Sequence, residues 1–288
     1  MVDGVSVIIP AHNEAHVIGG TLRRLVDTDI EGRLELIVAT NGCTDRTGEI
    51  AASVSPRVRV IEVDAASKIA ALNAGDEAST WSTRAYLDAD IDITADALLA
   101  SADALGDGPM LVSAPRMLVD TAGSSAPVRM YYRVWELTDY RLHGMVGSGI
   151  YIVSGIGRAR WGSFPDVIAD DLFAQRQFAE HERLEFNGAT FTMRAPRDLR
   201  TFLHRQTRIV AGNREAAAHY PELERMTVAP GVWALIGRLL RRPWLWPAAL
   251  VYTYASLEPR RRAAVVRARG AAQSWNRDET RRVSAVQN

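Results

Sequence analysis

Across 288 residues the chain carries one cysteine and one lysine. The single thiol, Cys43, excludes an intrachain disulfide and a cysteine-based zinc cluster, and it suits a reducing compartment. The formal net charge is zero, so no global field points to nucleic acid as a partner. Long apolar runs are missing: the C-terminal stretch Pro243–Leu257 is 15 residues long, short of the ~20 that a membrane-spanning helix needs. No early strand is followed by Gly-x-Gly-x-x-Gly, and Gly147-Ser-Gly149 lacks the third glycine, so a dinucleotide fingerprint is absent. The N-terminus enters an apolar strand within four residues without a basic leader, which predicts no signal peptide and a cytoplasmic setting.

What remains is ordinary globular composition, 47% hydrophobic and 24% charged, in a chain long enough for one large α/β core or a core plus an appendage. Val5–Ile9 is a continuous apolar run of the kind buried in parallel sheets. A turn at Pro10–Glu14 leads to a predicted helix with Val17, Ile18, Thr21, Leu22, Leu25 and Val26 at helical spacing. Strands are predicted at Leu34–Ala39, Val58–Val63 and Arg84–Leu87, with helices at Asp45–Val54 and Ser67–Ala78, Ser67 being the N-cap. The βαβαβαβ order implies an α/β fold with a mostly parallel, Rossmann-like sheet and right-handed crossovers. After Met110–Ala114 the rhythm breaks. Val128–His143, Asp170–Glu180 and Asp198–Ala218 read as helices, and five glycines fall within Gly144–Gly157 around apolar Ile150–Val153.

The fourth strand runs directly into Asp88, Asp90 and Asp92. Hard oxygen donors at i and i+2, at the end of a buried strand where α/β sheets bind ligands, suit Mg²⁺ or Mn²⁺ that also holds a diphosphate. Turn chemistry alone produces the same pattern, and so does chance. Asp170 and Asp171, opening a predicted helix, either satisfy its N-terminus or supply a general base for a hydroxyl. Lys68 is the sole lysine beside 33 arginines, and a compact ammonium there can neutralise a phosphate or a carboxylate. His12 and His16 read as surface or capping histidines, and Asp45 as a helix cap.

Taken in order, Val5–Glu14, Leu36–Thr47, Lys68-Ile-Ala-Ala-Leu-Asn-Ala-Gly75, the strand ending at Asp88 and Asp90, Gly147-Ser-Gly149, Ala169-Asp-Asp171 and Arg205-Gln-Thr-Arg208 resemble the family 2 glycosyltransferases of the GT-A fold over roughly residues 4–215. The resemblance implies an inverting, metal-dependent transfer of a sugar from a nucleotide-sugar donor to a hydroxyl on a glycan, lipid-linked or small-molecule acceptor. It implies metal ligation by Asp90 with Asp88, a base at Asp171 beside Asp170, and donor contacts from Pro10, Glu14, Thr40, Asn41, Lys68, Asn73, Asp88, Asp90, Arg205 and Arg208. Two departures stand out. Thr40 and Asn41 occupy the place of an aspartate that contacts a uracil ring in many members. Arg205 and Ile209 replace the Gln and Trp of a motif that processive members use, which argues against a processive polymerase. A sugar-nucleotide nucleotidyltransferase would want a glycine-rich loop where Pro10–Glu14 has none, and a non-catalytic sugar-nucleotide-binding protein is the remaining alternative.

The zero net charge hides a gradient. From Gly231 onward eleven arginines face three acids, a net charge of +8. With Trp and Tyr inside Pro243–Leu257, the segment is either an interfacial helix on a peripheral membrane surface, at the inner face of the cell membrane, or a helix packed on the body. The expected organisation is a catalytic domain over 1–220, with a nucleotide half to about 115 and an acceptor half from about 116. A basic helical tail over 221–288 follows.

Overall fold

The structure, a computed structural model, describes residues 1–106, 108–142, 147–166, 170–219 and 231–268. Strand β1 (Val5–Ala11) is followed by α1 (Ile18–Thr28), β2 (Leu34–Asn41), α2 (Thr47–Val54), β3 (Val58–Val63), α3 (Lys68–Ala78), β4 (Arg84–Leu87) and α4 (Ala95–Asp103). Next come β5 (Val112–Asp120), α5 (Ala126–Trp135), α6 (Asp139–Leu142), β6 (Ile150–Val153), α7 (Gly155–Arg158), α8 (Asp170–Arg176), β7 (Arg183–Arg194) and α9 (Leu199–His219). Helices α10 (Val232–Leu240) and α11 (Trp246–Ala268) close the described chain.

One seven-stranded sheet has the order β3-β2-β1-β4-β6-β5-β7. The apolar runs of β1, β2 and β4 pair in parallel, Val7 beside Leu36 and Ile8 beside Tyr86, and their side chains form the core. The sheet is mixed, because β6 runs antiparallel to β4 and to β5, with Tyr86 opposite Tyr151. Helix α3 begins as its sequence predicts, with the Ser67 hydroxyl accepting from the Ala70 amide at 3.2 Å. It packs against β1 through Gly75, where an added Cβ would stand 2.4 Å from Ile8 Cγ2. The helix expected over Val128–His143 is instead two, α5 and α6. The Thr138 hydroxyl donates to the Trp135 carbonyl at the break.

Packing divides the chain into two units: Met1–Leu118 with Met145–Met193, and Val119–Gly144 with Arg194–Asn288. The first holds most of the sheet. In the second, α11 packs on α5 and α9, with Tyr252 stacked on Tyr131 at 5.0 Å between centroids. The boundary expected near Tyr220–Pro230 lies outside the described residues.

Candidate active site

From β1 the chain moves to β2 and β3 on one side, and β4 enters on the other, so the carboxyl ends of β1 and β4 flank a topological switch point. Ligands of open α/β sheets bind in the crevice formed there. Pro10 lies buried near the end of β1. Beyond it, two turns interlace. The Thr44 amide donates to Asn13 Oδ1 (2.8 Å), the Glu14 amide to Thr47 Oγ1 (2.8 Å) and the Ala15 amide to Asp45 Oδ2 (3.2 Å). Asp45 also accepts from the Thr47 amide at 3.1 Å, one residue ahead of the N-cap position, which Arg46 occupies. His12 bridges the same two strands, its Nδ1 standing 2.5 Å from the Asn41 carbonyl. Glu14 is half-buried at this rim. At the end of β2 the buried Thr40 hydroxyl donates to the Ile61 carbonyl (3.2 Å). The neighbouring Asn41 is buried with its Oδ1 unmatched by a hydrogen-bond donor among the described residues.

The end of β4 is held from two directions. The Asp88 amide donates to the Gly149 carbonyl at 2.8 Å, and the buried Thr21 hydroxyl of α1 donates to the Ala89 carbonyl at 2.9 Å. These contacts fix the backbone on both sides of Asp88, while Asp90 is exposed. The third carboxylate of the run, Asp92, is ion-paired with Arg24 at 2.6 Å, and its backbone bridges to Thr192.

Lys68, at the first turn of α3, places its Nζ 2.8 Å from Asp88 Oδ1 and 2.9 Å from Asp170 Oδ1. Two segments 82 residues apart in sequence therefore share one ammonium. Burial opposes the charge on Lys68, but Asp170 and Asp88, with a smaller contribution from Asp171, outweigh it and raise the ammonium above its ordinary range. Asp170 is almost wholly buried. Burial is the largest influence on it and pushes its carboxyl up, Lys68 opposes, and repulsion from Asp171 and Asp88 carries it to about 6. Three carboxylates act on one ammonium, which leaves the cluster with excess negative charge.

Gly147 and Gly149 form the wall of this cluster. Both lie in the left-handed region, at φ +117° and +101°, with Ser148 between them at φ 66°. A Cβ on Gly147 would sit 3.5 Å from Asp171 Oδ2, and one on Gly149 would sit 3.4 Å from Asp88 Oδ2 and 2.7 Å from Ile91 Cδ1. Glycine lets the backbone pass close to both acids. Asp171 Oδ1 in turn accepts from the Leu172 amide at 2.8 Å.

Helix α3 anchors the segment leading to these acids at further points. Both ends of the Asn73 amide engage Phe164: Nδ2 donates to its carbonyl (3.1 Å) and Oδ1 accepts from its amide (2.7 Å). Asp76 accepts from the Tyr86 hydroxyl (2.8 Å) and from Arg158 Nη2 (2.7 Å). Asn73 thus spends its amide on backbone. Arg205 and Arg208 lie half-buried on α9, in the second unit.

Several participants escape sequence reasoning. Thr21 counts only as part of an apolar stripe until its hydroxyl is seen on Ala89. Tyr151 gives no signal inside Ile150–Val153. Its phenol is buried, stacks on Tyr86 at 4.8 Å, and has no hydrogen-bond partner among the described residues. Burial first, and then Asp170, push its pKa up.

The donor set fits a hard divalent cation. The Asp88 carboxylate is 41% exposed, Asp90 is open to solvent, and the cluster behind them is under-neutralised. Among the described residues no three His, Cys, Asp or Glu side chains are arranged to hold an ion unaided. Mg²⁺ commonly takes one or two carboxylates and completes its shell with phosphate oxygens and water.

The family model for glycosyl transferase family 2 matches residues 6–163. Glycosyltransferase AglD of Haloferax volcanii is 40% identical over 96 residues, which cover 30% of this chain and 15% of that protein. Probable glycosyltransferase YdaM of Bacillus subtilis is 37% identical over 94 residues, 30% of this chain and 22% of that protein. The matches therefore span less than a quarter of either relative. Among solved structures, mannosyltransferase PcManGT of Pyrobaculum calidifontis, in complex with GDP-Man and Mn²⁺, aligns with a TM-score of 0.60 and 20% identity, covering 98% of this chain and 78% of that one. TarS of S. aureus (residues 1–349), in complex with UDP-GlcNAc, aligns at 0.52 with 18% identity, covering 73% and 66%. The fold is GT-A. With its family match spanning both β4 and the glycine wall, the chain belongs to glycosyl transferase family 2.

Proposed function

We propose that the protein transfers a sugar from a nucleotide-sugar donor to an acceptor hydroxyl, with inversion and with the help of a divalent cation. One observation carries the reading: Lys68 joins Asp88, at the end of β4, to Asp170, beside Asp171, with Gly147 and Gly149 lying against Asp171 and Asp88. This reading takes Asp88 as a donor-side carboxylate and Asp171 as an acceptor-side one, near the switch point where ligands of α/β sheets bind.

In this reading the nucleoside lies over Pro10, Glu14, Thr40 and Asn41, and the unmatched Asn41 Oδ1 offers an acceptor to the base. Asp90 and Asp88 would hold Mg²⁺ or Mn²⁺, the latter being present in the PcManGT complex. Such an ion would neutralise the diphosphate of the leaving nucleotide. Asp171 takes the proton from the acceptor hydroxyl as that oxygen attacks the anomeric carbon. Burial and charge keep Asp170 paired with Lys68, which leaves Asp171 as the base. Asn73 acts by holding Phe164. The chain works in the cytoplasm and is peripheral to the inner face of the cell membrane, a placement supported by its arginine-rich C-terminal segment.

Calorimetry with GDP-, UDP- and dTDP-sugars, each with and without Mn²⁺, tests the donor side. One of them binds in a metal-dependent way to the wild type, and Asp90→Asn abolishes that dependence without unfolding the protein. Equal Mn²⁺-dependent affinity in a folded Asp90→Asn variant contradicts the assignment.

A further inference from the structure

The second unit carries a surface that soluble packing does not explain. Helix α11 buries small residues, Ala248, Ala255 and Ala263, against α5 and α9, and turns large apolar ones outward. Trp246, Leu250, Tyr254 and Leu257 follow at i, i+4, i+8 and i+11, so they share one exposed face, with Leu250 76% exposed. Helix α10 has no buried residue, and its Trp233 (84% exposed), Ile236 and Leu240 repeat at helical spacing. Between the helices, in the 3-10 turn Pro243–Leu245, Trp244 is exposed as well. Exposed apolar surface this continuous marks an interaction site.

Charge identifies the partner. Residues 231–268 contain seven arginines and one acid, Glu258. Glu258 is engaged by Arg261 (2.9 Å) and Arg262 (2.8 Å), and Arg238 pairs with Asp139 of the same unit at 2.6 Å. Arg241, Arg242 and Arg260 form no ion pair among the described residues. Arg241 and Arg242 fall between the two helices, directly after Leu240, and Arg260 lies beyond Leu257. Three tryptophans and a tyrosine lie within it, the side chains that settle at the level of lipid headgroups. No described helix is long and apolar enough to cross a membrane.

We infer that α10, the Trp244 turn and the outer face of α11 form a docking surface for an anionic lipid bilayer, lying in the interface with tryptophan and leucine in the acyl boundary and arginine on the phosphates. The inference rests on the peripheral placement proposed above, names its residues, and is independent of the transfer chemistry.

Flotation of the full-length protein with vesicles of phosphatidylcholine alone, or of phosphatidylcholine mixed with phosphatidylglycerol, tests it. The wild type partitions to the mixed vesicles at least tenfold more strongly, and high salt weakens the binding. Trp244→Ser with Leu250→Ser lowers partitioning by tenfold or more. Arg241→Gln with Arg242→Gln does likewise, on the order of fivefold for each arginine near an anionic surface. Trp244, Leu250 and Arg241 are exposed and Arg242 is half-buried with no ion pair among the described residues, so unfolding temperature and nucleotide-sugar affinity stay unchanged. That readout separates this surface from the donor site. Equal binding to neutral and anionic vesicles overturns the inference, as does no binding to either. So does a lipid-free dimer, seen by sedimentation velocity, that Trp244→Ser with Leu250→Ser dissociates, because the face would then belong to a second copy of the chain.

Discussion

Lys68 holds Asp170 at 2.9 Å while its other contact, at 2.8 Å, is Asp88. The only lysine of the chain thus ties the end of β4 to the start of α8. Removing it strands a buried carboxylate beside two others. Lys68→Met is expected to destabilise the protein by about 2 kcal/mol at pH 8, below the ~3–5 kcal/mol of a wholly buried pair because Asp88 is partly solvated. Urea unfolding at pH 5 and pH 8 checks this. The penalty shrinks at pH 5, where Asp170 takes up a proton. Lys68→Arg restores charge but not fit, since a planar fork replaces a compact donor.

Asp170 sets a pH dependence of its own in the metal-free protein. Its folded pKa, raised to about 6, lies above the ~4 of an unfolded aspartate. Between those values the native state binds more protons than the unfolded state, so this group's contribution to stability falls as pH rises from about 4 to about 6 and is flat outside that window. Asp170→Asn removes that slope. Comparing unfolding free energies of the two proteins across pH 4–7 measures the difference, and parallel curves would contradict it.

Asn73 and Phe164 give a separable outcome. Asn73→Ala leaves a backbone amide and a carbonyl without partners, a loss of about 1–3 kcal/mol for each group that water cannot reach. Because the amide is spent on the Phe164 backbone, kcat is expected to fall roughly tenfold while donor affinity stays within a few-fold, a roughly 1.4 kcal/mol change in barrier. Calorimetry beside steady-state kinetics separates the two. A loss of donor affinity with kcat preserved would instead place Asn73 at the nucleotide.

Gly75 is a packing requirement within the same helix. Gly75→Ala drives a methyl into Ile8, and thermal unfolding is expected to report about 1–3 kcal/mol of destabilisation.

Much of this was legible in the chain. The apolar runs of β1, β2 and β4 announced their strands because each is buried on both faces. Asp88 and Asp90 were visible because a strand delivered them together, and Ser67 because N-caps are local. Less legible was whatever depends on tertiary pairing. The antiparallel placement of β6 follows from what Ile150–Val153 meets, not from its own pattern. Strand β7 was missed although Ala189, Phe191 and Met193 alternate in burial, a period-2 signal that its first half, Arg183–Gly188, does not share. Thr21, Tyr151 and the Phe164 backbone act through partners that lie far from them in sequence. The carboxylate spacing grouped Asp92 with Asp88 and Asp90, and nothing in it foretold that Arg24 would claim Asp92.

The proposed transfer divides its labour between a donor-side Asp88 and an acceptor-side Asp171, which lie against Gly149 and Gly147. Asp171→Asn, assayed for turnover and for donor affinity in the same preparation, tests it most directly. General-base catalysis contributes about 10²–10⁴-fold, so turnover falls by roughly that factor while nucleotide-sugar and Mn²⁺ affinities stay within a few-fold of wild type. A folded Asp171→Asn protein that keeps wild-type turnover, or one that loses donor binding along with it, contradicts the account.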